Sequence, residues 1–302
     1  MFFSKKHPKQ KPKKKIPPIN TKPLPAPKSL PPPPKPTWTP PSKPESEWKP
    51  PFQKPESKPK QPKEEKINPA KEFEKTFRKL TYRHQSWDIW RDFVTMFACA
   101  LSNPVDKAHY DEREALYLEI INRYQENEQK LFPELAAYTI MALEENPEQD
   151  FLGSIYMSMN LGNRNKGQVF TPYHVCELMA DITMDDVTDL VNEKGYISIN
   201  DCACGAGATL IAAINKAKYQ LGKTGINFQN HVLIVAQDID TTVALMCYIQ
   251  ISLLGVAGYV KIGNSITEPI TPNDSTENYW FTPMCFSKIW TLRRFFHGKV
   301  LL

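Results

Sequence analysis

One stretch constrains the fold more than any other: Ile197 to Ala217, ISINDCACGAGATLIAAINKA. A short β-branched run containing Ile197 and Ile199 ends in Asp201, and the small-residue turn Cys202-Ala203-Cys204-Gly205-Ala206-Gly207-Ala208 follows. Leu210, Ile211, Ile214 and Ala217 then recur at helical spacing, which predicts a helix with one apolar face. Strand, glycine turn and helix in this order build the nucleotide sites of open α/β sheets. Glycine lets the backbone approach a ligand, and the helix N-terminus offers N–H groups without intrahelical partners.

The residues of the turn narrow the ligand. A dinucleotide fingerprint needs a third glycine where Leu210 stands, so a nicotinamide or flavin site is disfavoured. The Gly-Lys-Ser/Thr of a phosphate-binding loop is missing from this turn. Cys202 and Cys204 have no second Cys/His pair at zinc spacing, which argues against metal. Two readings remain: a tight strand-to-helix turn with no ligand, and a site for a ligand that carries adenosine but no phosphates. In the second, Asp201 lies near an amino-acid-like moiety.

Three boxes in order make a resemblance specific. DCACGAGATL resembles the Asp-Pro-Ala-Cys-Gly-Ser-Gly-Gly box of adenine-N6 DNA methyltransferases, in particular the modification subunits of type I restriction systems. Asp201, Ala203, Cys204, Gly205 and Gly207 match it, whereas Cys202, Ala206 and Ala208 replace Pro, Ser and Gly. Upstream, Gly167-Gln168-Val169-Phe170-Thr171-Pro172 is similar to the family's Gly-Gln-Phe-Phe-Thr-Pro, preceded by Asp150-Phe151-Leu152-Gly153-Ser154-Ile155-Tyr156 in the family's style. Downstream, Ala236-Gln237-Asp238-Ile239-Asp240 resembles Gly-Gln-Glu-Ile-Asn/Asp. The resemblance covers about Glu148 to Pro269. It implies a Rossmann-like α/β sheet that binds S-adenosylmethionine. It also implies Phe170, Thr171 and Pro172 against the methionine part and Asp238 on the ribose hydroxyls, with Asp240 as the alternative acid. A simpler competing role is an acid that only caps the helix starting at Thr241. Gly263-Asn264-Ser265-Ile266 resembles Gly-Asp-Ser/Thr-Leu, so Asn264 takes the place of the acid that contacts the adenine amino group.

Charge and proline are concentrated at the other end. The net charge of +5 conceals 17 lysines against 5 glutamates in residues 1–66, so the remainder is acidic. Of 28 prolines, 21 fall in the first 69 residues. With few apolar residues such a Pro/Lys-rich tail is expected to be disordered, with polyproline-II character. It reads as a solvated linker, a non-specific binder of nucleic-acid phosphate, or a ligand for a proline-recognising groove. Met1-Phe2-Phe3 runs straight into Ser4-Lys5-Lys6 with no apolar signal region. The window Val243 to Val260 is interrupted by polar residues and glycines, as a buried helix and turn would be rather than a membrane span. Six cysteines without a secretion signal read as free thiols in a reducing cytoplasm.

From Pro69 the pattern turns helical. Phe73, Phe77 and Leu80 share a face, and Ser86 is a candidate cap for a helix carrying Trp87, Trp90, Phe93, Val94 and Phe97. Further helices are predicted around Ala115 to Ile121, Leu135 to Ala142, Tyr173 to Thr183 and Thr242 to Leu254, with strands at Val232 to Ala236 and near Tyr259 to Ile262. The expected division is a tail over 1–68, a helical region over 69–147 and a methyltransferase-like domain over 148–302.

The main departure from the family is catalytic. Adenine-N6 enzymes flip the base out of the duplex and hold its amino group with an Asn/Asp-Pro-Pro-aromatic loop; the sequence Asn-Pro-Pro-Phe does not occur in this chain. Its nearest stand-in is Phe281-Thr282-Pro283-Met284-Cys285-Phe286, which makes Thr282, Pro283 and Phe286 candidates for the base clamp. Three functions stay open: a DNA adenine-N6 methyltransferase, a cofactor- or DNA-binding accessory chain working with a specificity or catalytic subunit, and a methyltransferase for RNA or a small molecule. In the accessory case Trp280, Trp290, Arg293, Arg294 and Phe295 are a candidate partner surface.

Overall fold

The computed structural model describes residues 67–161 and 170–297, all within one unit, residues 63–302. The tail up to residue 66, and Gly167, Gln168 and Val169, lie outside the described residues.

The chain begins with helices. Asn68 caps α1 (Pro69–Leu80) by accepting from the Lys71 N–H at 3.1 Å, and Pro69 stands in the first turn, where it sacrifices no helical hydrogen bond. Helices α2 (Ser86–Ser102), α3 (Tyr110–Ile121), the single turn α4 (Glu126–Gln129), α5 (Leu131–Glu145) and α6 (Phe151–Ser158) follow. Ser86 is the first residue of α2, not its cap. Gln85 takes the cap position and makes no side-chain bond there. Phe73 sits at the centre of an aromatic cluster, with ring centroids 5.4 Å from Phe93, 5.9 Å from Trp90 and 5.9 Å from Phe151. Each such fully buried ring contributes about 1.5–3 kcal/mol.

Two further helices, α7 (Tyr173–Thr183) and α8 (Val187–Lys194), lead into the sheet. Its strands are β1 (Ile197–Asp201), β2 (Val232–Asp238), β3 (Ala257–Ile262) and β4 (Tyr279–Phe281), in that spatial order. The first three are parallel, joined by α9 (Ala208–Lys223) and α10 (Thr241–Leu253); β4 runs antiparallel to β3. Alternate residues of β2 enter different cores. Val232, Ile234 and Ala236 join a large cluster with α1, α2, α6, α9 and α10. Leu233 and Val235 join a smaller one with Tyr259, Tyr279 and Trp290 of α11 (Lys288–His297). The large cluster runs unbroken across Pro147–Glu148, so the helical region and the sheet share one core.

The central strands are buried almost throughout, as parallel strands covered on both faces must be. β1 is only half-buried, and no strand pairs with its outer edge among the described residues. Helix α7 turns Cys176 and Ala180 onto α9 and leaves the stripe Val175, Leu178, Met179 and Ile182 exposed. No described helix is long and apolar enough to cross a membrane. Trp280 and Trp290 are buried, and the Trp290 indole N–H donates to the Gln229 carbonyl at 2.8 Å, so these two rings form core and not a partner surface.

Arg113 on α3 ties the helical region to the sheet. Its guanidinium donates to Asp106 Oδ2 at 2.8 Å, to the Ser102 hydroxyl at 2.5 Å and to the Tyr279 carbonyl at 2.7 Å, and lies 4.0 Å from the Trp280 ring centre. Arg113 is only 4% exposed, so removing it takes the guanidinium from the buried Asp106 carboxylate, which keeps the His109 ring at 2.8 Å. Arg113→Met is expected to lower unfolding stability in urea by about 3–5 kcal/mol, whereas Lys75→Met at an exposed ion pair changes it by about 0–1 kcal/mol. Equal effects would refute a tie of this kind.

Candidate functional site

The parallel register brings three strand ends together. Asp201 pairs across from Ala236, and Asp238 from Ile262, so Asp201, Asp238 and Gly263-Asn264 all sit at the C-terminal edge of the sheet. Open α/β sheets bind their ligands at this edge.

The glycine turn is built by local bonds. Asp201 Oδ1 accepts from the Ala203 N–H at 3.1 Å, folding the chain sharply as it leaves β1. The Cys204 N–H donates to the Gln237 carbonyl at 3.0 Å, and the Gly207 N–H to the Cys204 carbonyl at 2.8 Å. Gly205 and Gly207 have φ of +56° and +98°, conformations that side chains disfavour. Gly207 also needs its small size, because a Cβ there would lie 2.9 Å from Cys247 Sγ. Cys247 belongs to α10 and is fully buried. It hydrogen-bonds Cys204, and that contact together with burial pushes the Cys204 thiol well above its usual range, keeping it protonated and unreactive.

Asp238 is bound into the same turn. Its Oδ2 accepts from the Gly205 N–H at 2.9 Å and its Oδ1 from the Asp240 N–H at 3.0 Å. Each carboxylate oxygen retains a second lone pair for a ligand hydroxyl. Asp240 instead caps α10, accepting from Thr242 and Val243 at 3.0 and 3.2 Å. Of the two acids, Asp240 is therefore the helix cap. Asn264 Oδ1 accepts from the Ile266 and Thr267 N–H groups at 2.9 and 3.4 Å, shaping the loop after β3. Gln237, which sequence reasoning passed over, is 2% exposed and holds that loop by donating to the carbonyls of Gly263 and Glu268.

Phe170 faces the turn. A Cβ on Gly205 would touch its ring at 3.6 Å, so the ring stands directly beside the turn. Behind it, the Tyr156 ring stands 5.5 Å away, centre to centre. Thr171 and Pro172 are exposed beside it at the start of α7, where Pro172 takes the cap position. Ala203 is exposed on the outer side of the turn.

The structure does not bring Thr282, Pro283 and Phe286 to this edge. Because β4 is antiparallel, Phe281 pairs with Tyr259 and the chain leaves the sheet at the N-terminal end of β3. Thr282 is level with Gly258 and the site edge with Ile262, four residues or about 13 Å along the strand. The Thr282 hydroxyl is fully buried there, donating to the Val256 carbonyl at 2.8 Å and accepting from the Gly258 N–H at 3.0 Å. Phe286 packs on Phe281, ring centres 6.4 Å apart. These residues are a structural latch and not a base clamp. No local pattern signals this, since strand direction is a long-range property.

Compared with known proteins, the chain matches a family model described as N-6 DNA Methylase over residues 148–298, half its length. No curated protein and no solved structure matches it.

The tight turn makes a direct prediction. Gly207→Ala must both adopt a positive φ and displace a fully buried thiol, so it is expected to cost more than the roughly 1–2 kcal/mol of a left-handed alanine alone. Gly225→Ala, also at positive φ (+73°) but with nothing within 4 Å of its Cβ, is the control. Equal losses in urea unfolding would show that Cys247 does not set the limit.

Proposed function

Because the chain belongs to the N-6 DNA methylase family, we propose that it binds S-adenosylmethionine along the glycine turn, beside Phe170, and serves methylation of adenine N6 in DNA. Members of this family use that cofactor. The observation that carries the reading is the meeting of Asp201, Asp238 and the open Gly205–Gly207 turn at one edge of a parallel sheet, faced by an aromatic ring.

The residues present fit the group. Asp201 supplies negative charge where the amino-acid arm carries its ammonium, and Asp238 offers lone pairs to the ribose hydroxyls. Phe170, with Thr171 and Pro172, walls the methionine side. Ala203, Cys204, Gly205 and Gly207 supply a backbone surface with no bulky side chain. Asn264 borders the adenine end. When bound, the cofactor supplies an electrophilic sulfonium methyl. What the protein adds is orientation, which is worth most when the two reacting atoms are held in line.

The chain holds no Asn-Pro-Pro-aromatic sequence. A second reading is therefore a cofactor-binding subunit whose partner carries the base-holding loop. The exposed apolar stripe on α7 and the unpaired edge of β1 favour it. Under both readings residues 148–302 are the methyltransferase-like domain, 69–147 its helical support and 1–68 a basic arm.

Three measurements test these assignments. Asp201→Asn keeps the oxygen that caps the turn and removes only the charge. It is expected to weaken S-adenosylmethionine binding about ten- to a hundredfold by calorimetry, with an unchanged thermal midpoint. Undiminished affinity would remove Asp201 from the site. Labelled-methyl transfer to unmethylated DNA then separates an enzyme from a subunit that needs a partner. Deleting residues 1–66, with 17 lysines against 5 glutamates, is expected to leave cofactor affinity unchanged and weaken DNA binding most at low salt. A salt-independent loss would speak against electrostatic attraction.

A further inference from the structure

A buried polar network beneath the turn has no part in the roles assigned above. Gln250 lies on α10 with no exposed surface. Its Nε2 donates to Asp150 Oδ1 at 2.8 Å and to the Ala206 carbonyl at 2.9 Å, and its Oε1 accepts from the Leu152 N–H at 3.1 Å. Turning the amide over would set its oxygen against two acceptors and its NH2 against a donor, so the surroundings dictate its orientation. Asp150 Oδ1 also accepts from the Gly153 N–H at 2.9 Å, capping α6. The fit is close: a Cβ on Gly153 would lie 2.0 Å from Asp150 Oδ2. This explains the Asp-x-x-Gly pattern at Asp150 and Gly153.

The two ends of the network reach the two walls of the cleft. Ala206 lies between Gly205 and Gly207, both at positive φ. Glycine has the widest choice of backbone conformation, so a turn built on two of them needs an external anchor to hold one shape. Gln250 grips its carbonyl. At the other end Asp150 fixes the start of α6, which carries the Tyr156 ring that packs on Phe170. Resting on the cofactor reading above, we infer that Gln250, with Asp150, is a positioning residue that holds the glycine turn and the Phe170 wall in binding geometry before the cofactor arrives.

The full chain, wild type and Gln250→Met, tests this by S-adenosylmethionine calorimetry and by amide hydrogen exchange without ligand. The expected result is affinity reduced by about tenfold or more and faster exchange confined to residues 203–208, with β2 and β3 protected as before. Unchanged affinity together with unchanged exchange in the turn would overturn the inference. Gln250→Met takes the amide donor from the buried Asp150 carboxylate, which keeps the Gly153 N–H, and is at risk of misfolding. The double variant Asp150→Ser, Gln250→Met removes that charge and retains a helix-capping hydroxyl; it must bind as weakly as the single variant, and wild-type affinity in it would refute the role of Gln250. If the wild type itself fails to bind, the cofactor reading falls, and the exchange comparison alone decides whether Gln250 holds the turn.

Discussion

Helix α10 must be covered on every side, and the rest of the molecule is arranged to cover it. Ten successive residues, Thr242 to Ile251, are buried, which no surface helix with a single apolar face achieves. Helix α2 lies against it on one side and β2 and β3 on another, with α6 and α9 filling the remainder. A sheet of three parallel strands offers only one face to it, so the helical region before the sheet is part of the core. The Arg113 contacts to Asp106 and the Tyr279 carbonyl fasten the two together where apolar packing alone would leave a charge uncompensated.

The candidate site inherits its shape from the same helix. Cys247 and Gln250 project from α10 toward the glycine turn, one limiting its size and the other holding a carbonyl. Asp240, at the N-terminus of α10, and Asp238, two residues before it, organise the neighbouring backbone. Acids close to the same sheet edge repel one another unless N–H groups compensate them. Here each one accepts at least one backbone N–H. The three carboxylates can therefore stand close to one sheet edge.

Asymmetry at the sheet edges separates the half of the molecule that is closed from the half that is open. Beyond β3 the antiparallel β4, the Thr282 latch and Trp290 of α11 finish the sheet with buried side chains. Beyond β1 no further strand pairs among the described residues, and α7 turns four apolar residues to solvent. Apolar residues turned to solvent in this way set the α7 side apart from the closed side.

Much of this was legible in the sequence because it is local. The positive-φ glycines, the boundaries of α7 at Tyr173 and Thr183, and the buried run of β2 follow from a few neighbouring residues. Even the cap on α10 was visible, though which acid supplied it was not. What the sequence could not decide depends on partners far along the chain. The periodic Val175, Leu178, Met179 and Ile182 looked like any helix face, and only the packing of Cys176 and Ala180 on α9 turned that face outward. Thr282 to Phe286 stood at a suitable distance along the chain, but the antiparallel pairing of β4 carried them to the opposite end of the sheet. Gln250 carried no local signal, because its meaning lies in Asp150 and Ala206, residues 100 and 44 positions away. Sequence set the turn and the helices through short-range sterics and periodicity; tertiary structure alone chose the neighbours of each face, since that choice is made by burying surface between distant segments.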